Sequence, residues 1–163
     1  MDKQPLVSII CPSYGHERFI ARAIESFIAQ TYGRIEIIVV DDRSPDGSNA
    51  IVRGMRDPRL RLLTTDFNMG VPCAMNLGIR ESSGSIVCFC ASDDMMGKDH
   101  VAKAVDAFSE DGRIGAVYAR LEYVDGDDRA FGLAPATRKN RFELLNEMFL
   151  EGNGSLYAPG SAF

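Results

Sequence analysis

The sequence carries two pairs of adjacent acids, Asp41-Asp42 and Asp93-Asp94, each placed directly after a run of apolar residues. A third apolar run ends in Cys11-Pro12-Ser13-Tyr14-Gly15. Carboxylates accept hydrogen bonds from N–H donors. They also hold hard cations such as Mg2+ or Mn2+, which take few protein oxygens and complete their shell with water and diphosphate. A cation held in that way stabilises a departing diphosphate as a Lewis acid. Tyr14, freed from its strand by the breakers Pro12 and Gly15, offers a ring that can lie against a nucleobase. Each pattern also has a plainer reading. Asp41-Asp42 fits a solvated turn closed by Asp46-Gly47, Asp93-Asp94 fits a helix start, and Pro12 to Gly15 fits an ordinary strand-to-helix turn. Against the helix-start reading, Gly97 separates the second pair from the helix expected after Asp99. Successive strand residues point to opposite faces, so only one of Asp41 and Asp42 can aim into a crevice.

Something must bring these strand ends together. Apolar runs rich in Val and Ile begin near residues 6, 35, 60, 85 and 114, each followed by a stretch with helical periodicity. Leu6 to Cys11, Ile35 to Val40 and Ser85 to Cys90 are nearly continuous in apolar character, as strands covered on both faces should be. This rhythm predicts an α/β fold, Rossmann-like, with a mainly parallel sheet flanked by helices. Ligands of such sheets sit at the carboxyl ends of the strands, where the acids and Tyr14 fall. Phe19, Ile20, Ala23, Ile24, Phe27 and Ile28 form one stripe on a helix ending near Gln30. Further helices are expected over Ser48 to Met55, Val71 to Glu81, Asp99 to Glu110 and Arg141 to Leu150. Tyr123 to Asn140, with Asp125-Gly126-Asp127-Asp128 and little periodicity, reads as a loop.

The 163 residues, 45% of them hydrophobic and 25% charged, suit a single domain over 1–163 with its own core. A net charge of −5, without a Lys/Arg cluster, excludes the electrostatic footprint of a nucleic-acid binder. An anionic ligand must then be held locally. The N-terminal apolar run is too short for a membrane span. Cys11, Cys73, Cys88 and Cys90 lack ligand spacing and read as reduced core thiols, which predicts a cytoplasmic protein. His16, after the Pro-Ser-Tyr turn, could touch a phosphate, although a solvent-facing helix-start residue is the commoner reading, as it is for His100; Arg43 and Lys98 could help with diphosphate charge but read as solvated partners of the nearby acids.

The segments Val-Ser-Ile-Ile-Cys-Pro-Ser-Tyr, Ile-Glu-Ile-Ile-Val-Val-Asp-Asp-Arg-Ser and Ser-Asp-Asp, in that order, resemble a family 2 glycosyltransferase. Asn68-Met69-Gly70, Ala74-Met75-Asn76-Leu77-Gly78 and Gly84 extend the resemblance over roughly residues 6 to 120. It implies the GT-A fold, a nucleotide-sugar donor (a UDP-sugar is expected), Mg2+ or Mn2+, and transfer with inversion to a saccharide or lipid-linked hydroxyl. Carried over by position, it makes Pro12 and Tyr14 nucleoside contacts and Asp42 the carboxylate that reads the base, with Asp41 as its supporting neighbour. Asn76 and Asp93 would face the ribose and diphosphate, and Asp94 would hold the metal. Asp42→Ala should then weaken base recognition and leave the fold intact. Two positions depart from the family pattern: Ala91 stands where many members carry a further Asp, and Met75 where many carry a basic residue.

In the family the general base lies well downstream, so the acceptor-binding and general-base region is expected beyond residue 163. Asp125, Asp127, Asp128, Glu143, Glu147 and Glu151 are the downstream acids, and none has an identifying motif. An incomplete α/β domain should expose a sheet edge or apolar surface that favours a homodimer. The resemblance also allows a peripheral place at the cytoplasmic face of a membrane, and a nucleotide-sugar-binding domain without turnover. A phosphoacceptor receiver domain would need its acidic pair after the first strand, which here ends in Cys11-Pro12. No G-x-G-x-x-G and no phosphate loop is present, which excludes those dinucleotide and nucleotide folds.

Overall fold

The computed structural model describes residues 4–126, 129–133 and 161–162. The chain runs β1 (Val7–Ser13), α1 (Ile20–Ile28), β2 (Ile35–Asp41), α2 (Ser48–Gly54), β3 (Leu60–Thr64), α3 (Val71–Glu81), β4 (Ile86–Phe89) and α4 (His100–Glu110). After these come β5 (Glu122–Val124), β6 (Ala130–Leu133) and β7 (Ser161–Ala162). The main sheet has the order β3-β2-β1-β4-β7. Its first four strands are parallel, and β7 lies antiparallel on β4. The expected α/β architecture, a mainly parallel sheet flanked by helices, is the one observed.

Strand alternation divides the core in two. Val7, Ile9, Cys11, Ile35, Ile37, Val39 and Cys88 face one side and pack with Ile20, Ile24 and Phe27 of α1, Val52 of α2 and Val101 of α4. Ile38 and Val40 face the other side, against Ala74 of α3. Ile20, Ile24 and Phe27 of α1 are fully buried, each contributing about 2 kcal/mol of apolar transfer energy. Helix α3 approaches the sheet closely because Gly78 lies on Ile10, so any Cβ there would collide with the Ile10 side chain. At the opposite end of the strands, Gly84 rests on the Ser8 backbone, and its N–H donates to Ser8 Oγ at 2.9 Å. Ser8 Oγ in turn donates to Glu36 Oε1 at 2.6 Å.

Three expectations need correction. The apolar run near residue 114 forms no strand of the main sheet: Ile114 and Tyr118 are exposed, and β7 occupies the edge beside β4. The stretch expected as a loop holds an antiparallel hairpin, β5 with β6, in which Tyr123 stacks on Phe131 at 6.0 Å between ring centroids. Cys73 is exposed, because α3 turns Ala74 and Gly78 inward instead. Cys11, Cys88 and Cys90 are buried thiols as expected, and burial pushes Cys88 up to about 12. The helix expected over Arg141 to Leu150 and the acids Asp127, Asp128, Glu143, Glu147 and Glu151 lie outside the described residues. No described helix is long and apolar enough to cross a membrane.

Candidate functional site

Strand parity decides what the carboxyl edge of the sheet presents. Asp41 has the parity of Val39 and points to the α2 side, where it is buried and accepts a 3.0 Å hydrogen bond from Asn49 Nδ2. Asp42 has the parity of Val40 and points to the α3 side, into a cleft of about 470 Å³. Pro12, Tyr14 and Ala74 line the same cleft, so residues from β1, β2 and α3 converge there. Tyr14 is 46% exposed, with its ring available to a ligand.

The Asp42 carboxylate is buried and organises the turn that leads into α3. It accepts from the Met69 N–H at 3.0 Å, from the Gly70 N–H at 2.7 Å, and from the Thr65 hydroxyl, whose oxygen lies 2.9 Å away. Gly70 has φ of 84°, a left-handed conformation in which an L side chain would be strained. A carboxylate offers about four acceptor positions, so three internal donors leave it room for about one external N–H. Arg43 follows at φ 63°, turning the chain out of the sheet immediately after Asp42.

The acids after β4 form the other end of the cleft. Asp93 lines it, while Asp94 lines a second cleft of about 750 Å³ bounded by Phe19, Arg22, Met95 and the residues of β5. Asp93 also borders this second cleft, so the acidic pair forms the partition between the two. Helix α4 begins only at His100, and the pair does not cap it. Gln30 fixes the intervening loop: its Nε2 donates to Gly97 O at 2.9 Å, and its Oε1 accepts from the Val101 N–H at 3.0 Å. Burial, and then the charge of Asp93, raise the Asp94 carboxyl to about 6, against a smaller opposing effect of His16. The same acids, after burial itself, push the Cys11 thiol far above its ordinary range.

Asp94 has the character of a hard cation ligand. It is a half-buried carboxylate crowded by a second carboxylate; the described residues lining the 470 Å³ cleft include no Lys or Arg, while Arg22 and Arg120 line the second cleft beside both acids. No group of three or more His, Cys, Asp or Glu suited to a metal occurs among the described residues. Mg2+ and Mn2+ fit one or two carboxylates when phosphate and water supply the remaining ligands.

Pro12, Tyr14, Asp42 and Asp93 are thus brought together around one cleft, with Asp94 at its border. Asn76 is not among them. It lies two residues beyond the inward-facing Ala74, about 200° around the helix, and is exposed. His16, for which the sequence left a phosphate contact open beside the commoner solvent-facing reading, lines the cleft, with Nδ1 2.8 Å from Ser92 Oγ and 3.7 Å from Asp93 Oδ1. Thr65 is silent in the sequence, since nothing local marks it as a partner of Asp42.

Comparison with known proteins identifies relatives of this sequence and of this fold. The succinoglycan biosynthesis protein ExoO of Rhizobium meliloti is 33% identical over 154 residues, covering 94% of this chain and 44% of that protein. Among solved structures, the mannosyltransferase PcManGT of Pyrobaculum calidifontis in complex with GDP-Man and Mn2+ superposes with a TM-score of 0.67 at 29% identity, covering 72% of this chain and 36% of that one. TarS 1-349 of S. aureus in complex with UDP-GlcNAc gives 0.61 at 29% identity, covering 64% and 31%. The chain spans about half the length, or somewhat less, of the relatives it matches, 49% and 44% for two of them. Its sheet and helices are those of the GT-A glycosyltransferases. Residues 8–162 match Glycosyl transferase family 2, and the chain belongs to that family.

Proposed function

We propose that this chain binds the donor for a glycosyltransferase that moves a sugar from a nucleotide-diphosphate sugar, a UDP-sugar by preference, to a saccharide or lipid-linked hydroxyl with inversion. The observation that carries the reading is the cleft itself, with one end at Pro12, Tyr14 and Asp42 and an acidic end at Asp93, where Asp94 forms its border. The complexes of PcManGT with GDP-Man and Mn2+ and of TarS with UDP-GlcNAc support a nucleotide-sugar ligand.

In this proposal Tyr14 covers one face of the base and Pro12 borders it. The remaining acceptor position on Asp42 takes a base N–H. Asp93 faces the ribose and diphosphate, and Asp94 holds Mg2+ or Mn2+. The cation, when bound, supplies Lewis-acid stabilisation of the departing diphosphate. The acceptor enters from the second cleft, across the partition made by the two acids. Inversion requires a base on the face opposite the leaving group. Glu122 and Asp125 are described downstream acids that line this second cleft, and the base is not assigned to either.

Asp94→Ala tests the proposal. Nucleotide affinity in Mn2+ should fall by at least about tenfold, since loss of even a supporting metal contact costs that much, and should no longer respond to EDTA. Wild-type affinity that is indifferent to both Mn2+ and the substitution would contradict it. Tight nucleotide binding by a full-length chain that transfers no sugar would favour a binding domain without turnover.

A further inference from the structure

The donor cleft is poor in groups that can meet an anion. Among its described lining residues only His16 and Asn68 carry a side-chain N–H, and Asn68 sits at the base end, where its Oδ1 accepts from the Gly70 N–H at 3.1 Å. His16 sits at the acidic end. Its backbone is fixed within a braced pair of loops: the His16 N–H donates to Ser48 Oγ at 3.1 Å, the Gly15 N–H to Ser44 Oγ at 3.0 Å, and the Glu17 N–H to Asp46 Oδ2 at 3.0 Å. Its ring meets the edge of Phe19 at 6.4 Å between centroids.

Among the described residues, one nitrogen of that ring is engaged and the other is not. Ser92 is fully buried, and its Oγ lies 2.8 Å from His16 Nδ1. Asp93 Oδ1, at 3.7 Å, is too far for a hydrogen bond to the same nitrogen. With the Ser92 hydroxyl donating to Nδ1, the neutral imidazole carries its proton on Nε2. Nε2 makes no hydrogen bond among the described residues, and the side chain is 33% exposed.

We propose that His16, anchored on Ser92 through Nδ1, donates from Nε2 to the diphosphate of the donor and is the binding residue that takes the place of a basic side chain in this cleft. The inference rests on the reading of the cleft as a donor site. It gives Ser92 a function as well, as the residue that sets the tautomer.

The test separates the two ring nitrogens, because the terminal amide of Asn falls near Nδ1 and that of Gln near Nε2. Full-length wild type, His16→Ala, His16→Asn and His16→Gln are titrated in Mn2+ with UDP and GDP, and with uridine and guanosine as phosphate-free references. Loss of a hydrogen bond to a charged group predicts that His16→Ala binds the preferred diphosphate about tenfold more weakly while nucleoside binding is unchanged. His16→Gln should recover most of the loss, and His16→Asn should not. Recovery by Asn and not by Gln, equal losses for nucleoside and diphosphate, or no loss at all would each overturn the proposal. Wild type that binds neither diphosphate would instead remove the donor-site reading, and the inference with it.

Discussion

Asp42 has two tasks that compete for the same two oxygens. It secures the turn before α3 through Thr65, Met69 and Gly70, and in the proposed function it also meets the base. The expectation that Asp42→Ala spares the fold is therefore replaced by a sharper one. Truncation leaves a buried hydroxyl and two peptide N–H groups without their acceptor, at a cost of about 2–3 kcal/mol, measurable by urea denaturation without any nucleotide. Asp94 makes the opposite prediction. Its pKa is raised, from 3.8 to about 6, so its charged form is disfavoured in the folded chain. The stability linked to its proton is complete below pH 3.8 and is lost as pH rises through about 6. Asp94→Asn should consequently stabilise the metal-free chain at pH 7 by about 1 kcal/mol, after discounting for solvent screening, and the gain should vanish in melts at pH 3.8 or below. Pro12, Tyr14, Asp42 and Asp93 were legible because each ends or follows an apolar run. For His16 a phosphate contact was open in the sequence but not decided, since its partners Ser92 and Asp93 reach it only through the pairing of β1 with β4. Asn76 illustrates the converse: a motif position supplies a residue type but not the direction in which its helix turns it.

At the scale of elements, alternation in β2 sends Asp41 and Asp42 to opposite faces, and α3 builds one wall of the cleft. The packing of α3 therefore controls the site from a distance. Gly78→Ala would drive a Cβ into Ile10 and crowd Val40, lifting α3 from the sheet. We expect a loss of about 1–3 kcal/mol in chemical denaturation, with weaker nucleotide binding as the wall shifts. The helices α2, α3 and α4 were legible almost to the residue, because breakers and apolar periodicity agree there: Gly70 precedes α3, and Gly97 stands ahead of α4. The edge of the sheet was not legible. The run near residue 114 has strand-like composition, yet the position beside β4 is filled by Ser161–Ala162 from far along the chain, a long-range pairing that local pattern does not encode.

For the molecule as a whole, charge poses the central problem. A chain of net charge −5 presents a cleft without Lys or Arg among its described lining residues, and the ligand proposed for it is a diphosphate. Asp93 and Asp94 would repel that ligand if they acted alone. The account resolves the conflict by assigning a divalent cation to Asp94, which turns the acidic end from a barrier into the main source of affinity. The direct test is calorimetric titration of the chain with UDP, GDP and dTDP, each in Mn2+ and again in EDTA. The account predicts that one of the three binds in Mn2+, and that EDTA abolishes the binding. Equal affinity in Mn2+ and EDTA, or no binding of any of the three, would contradict it.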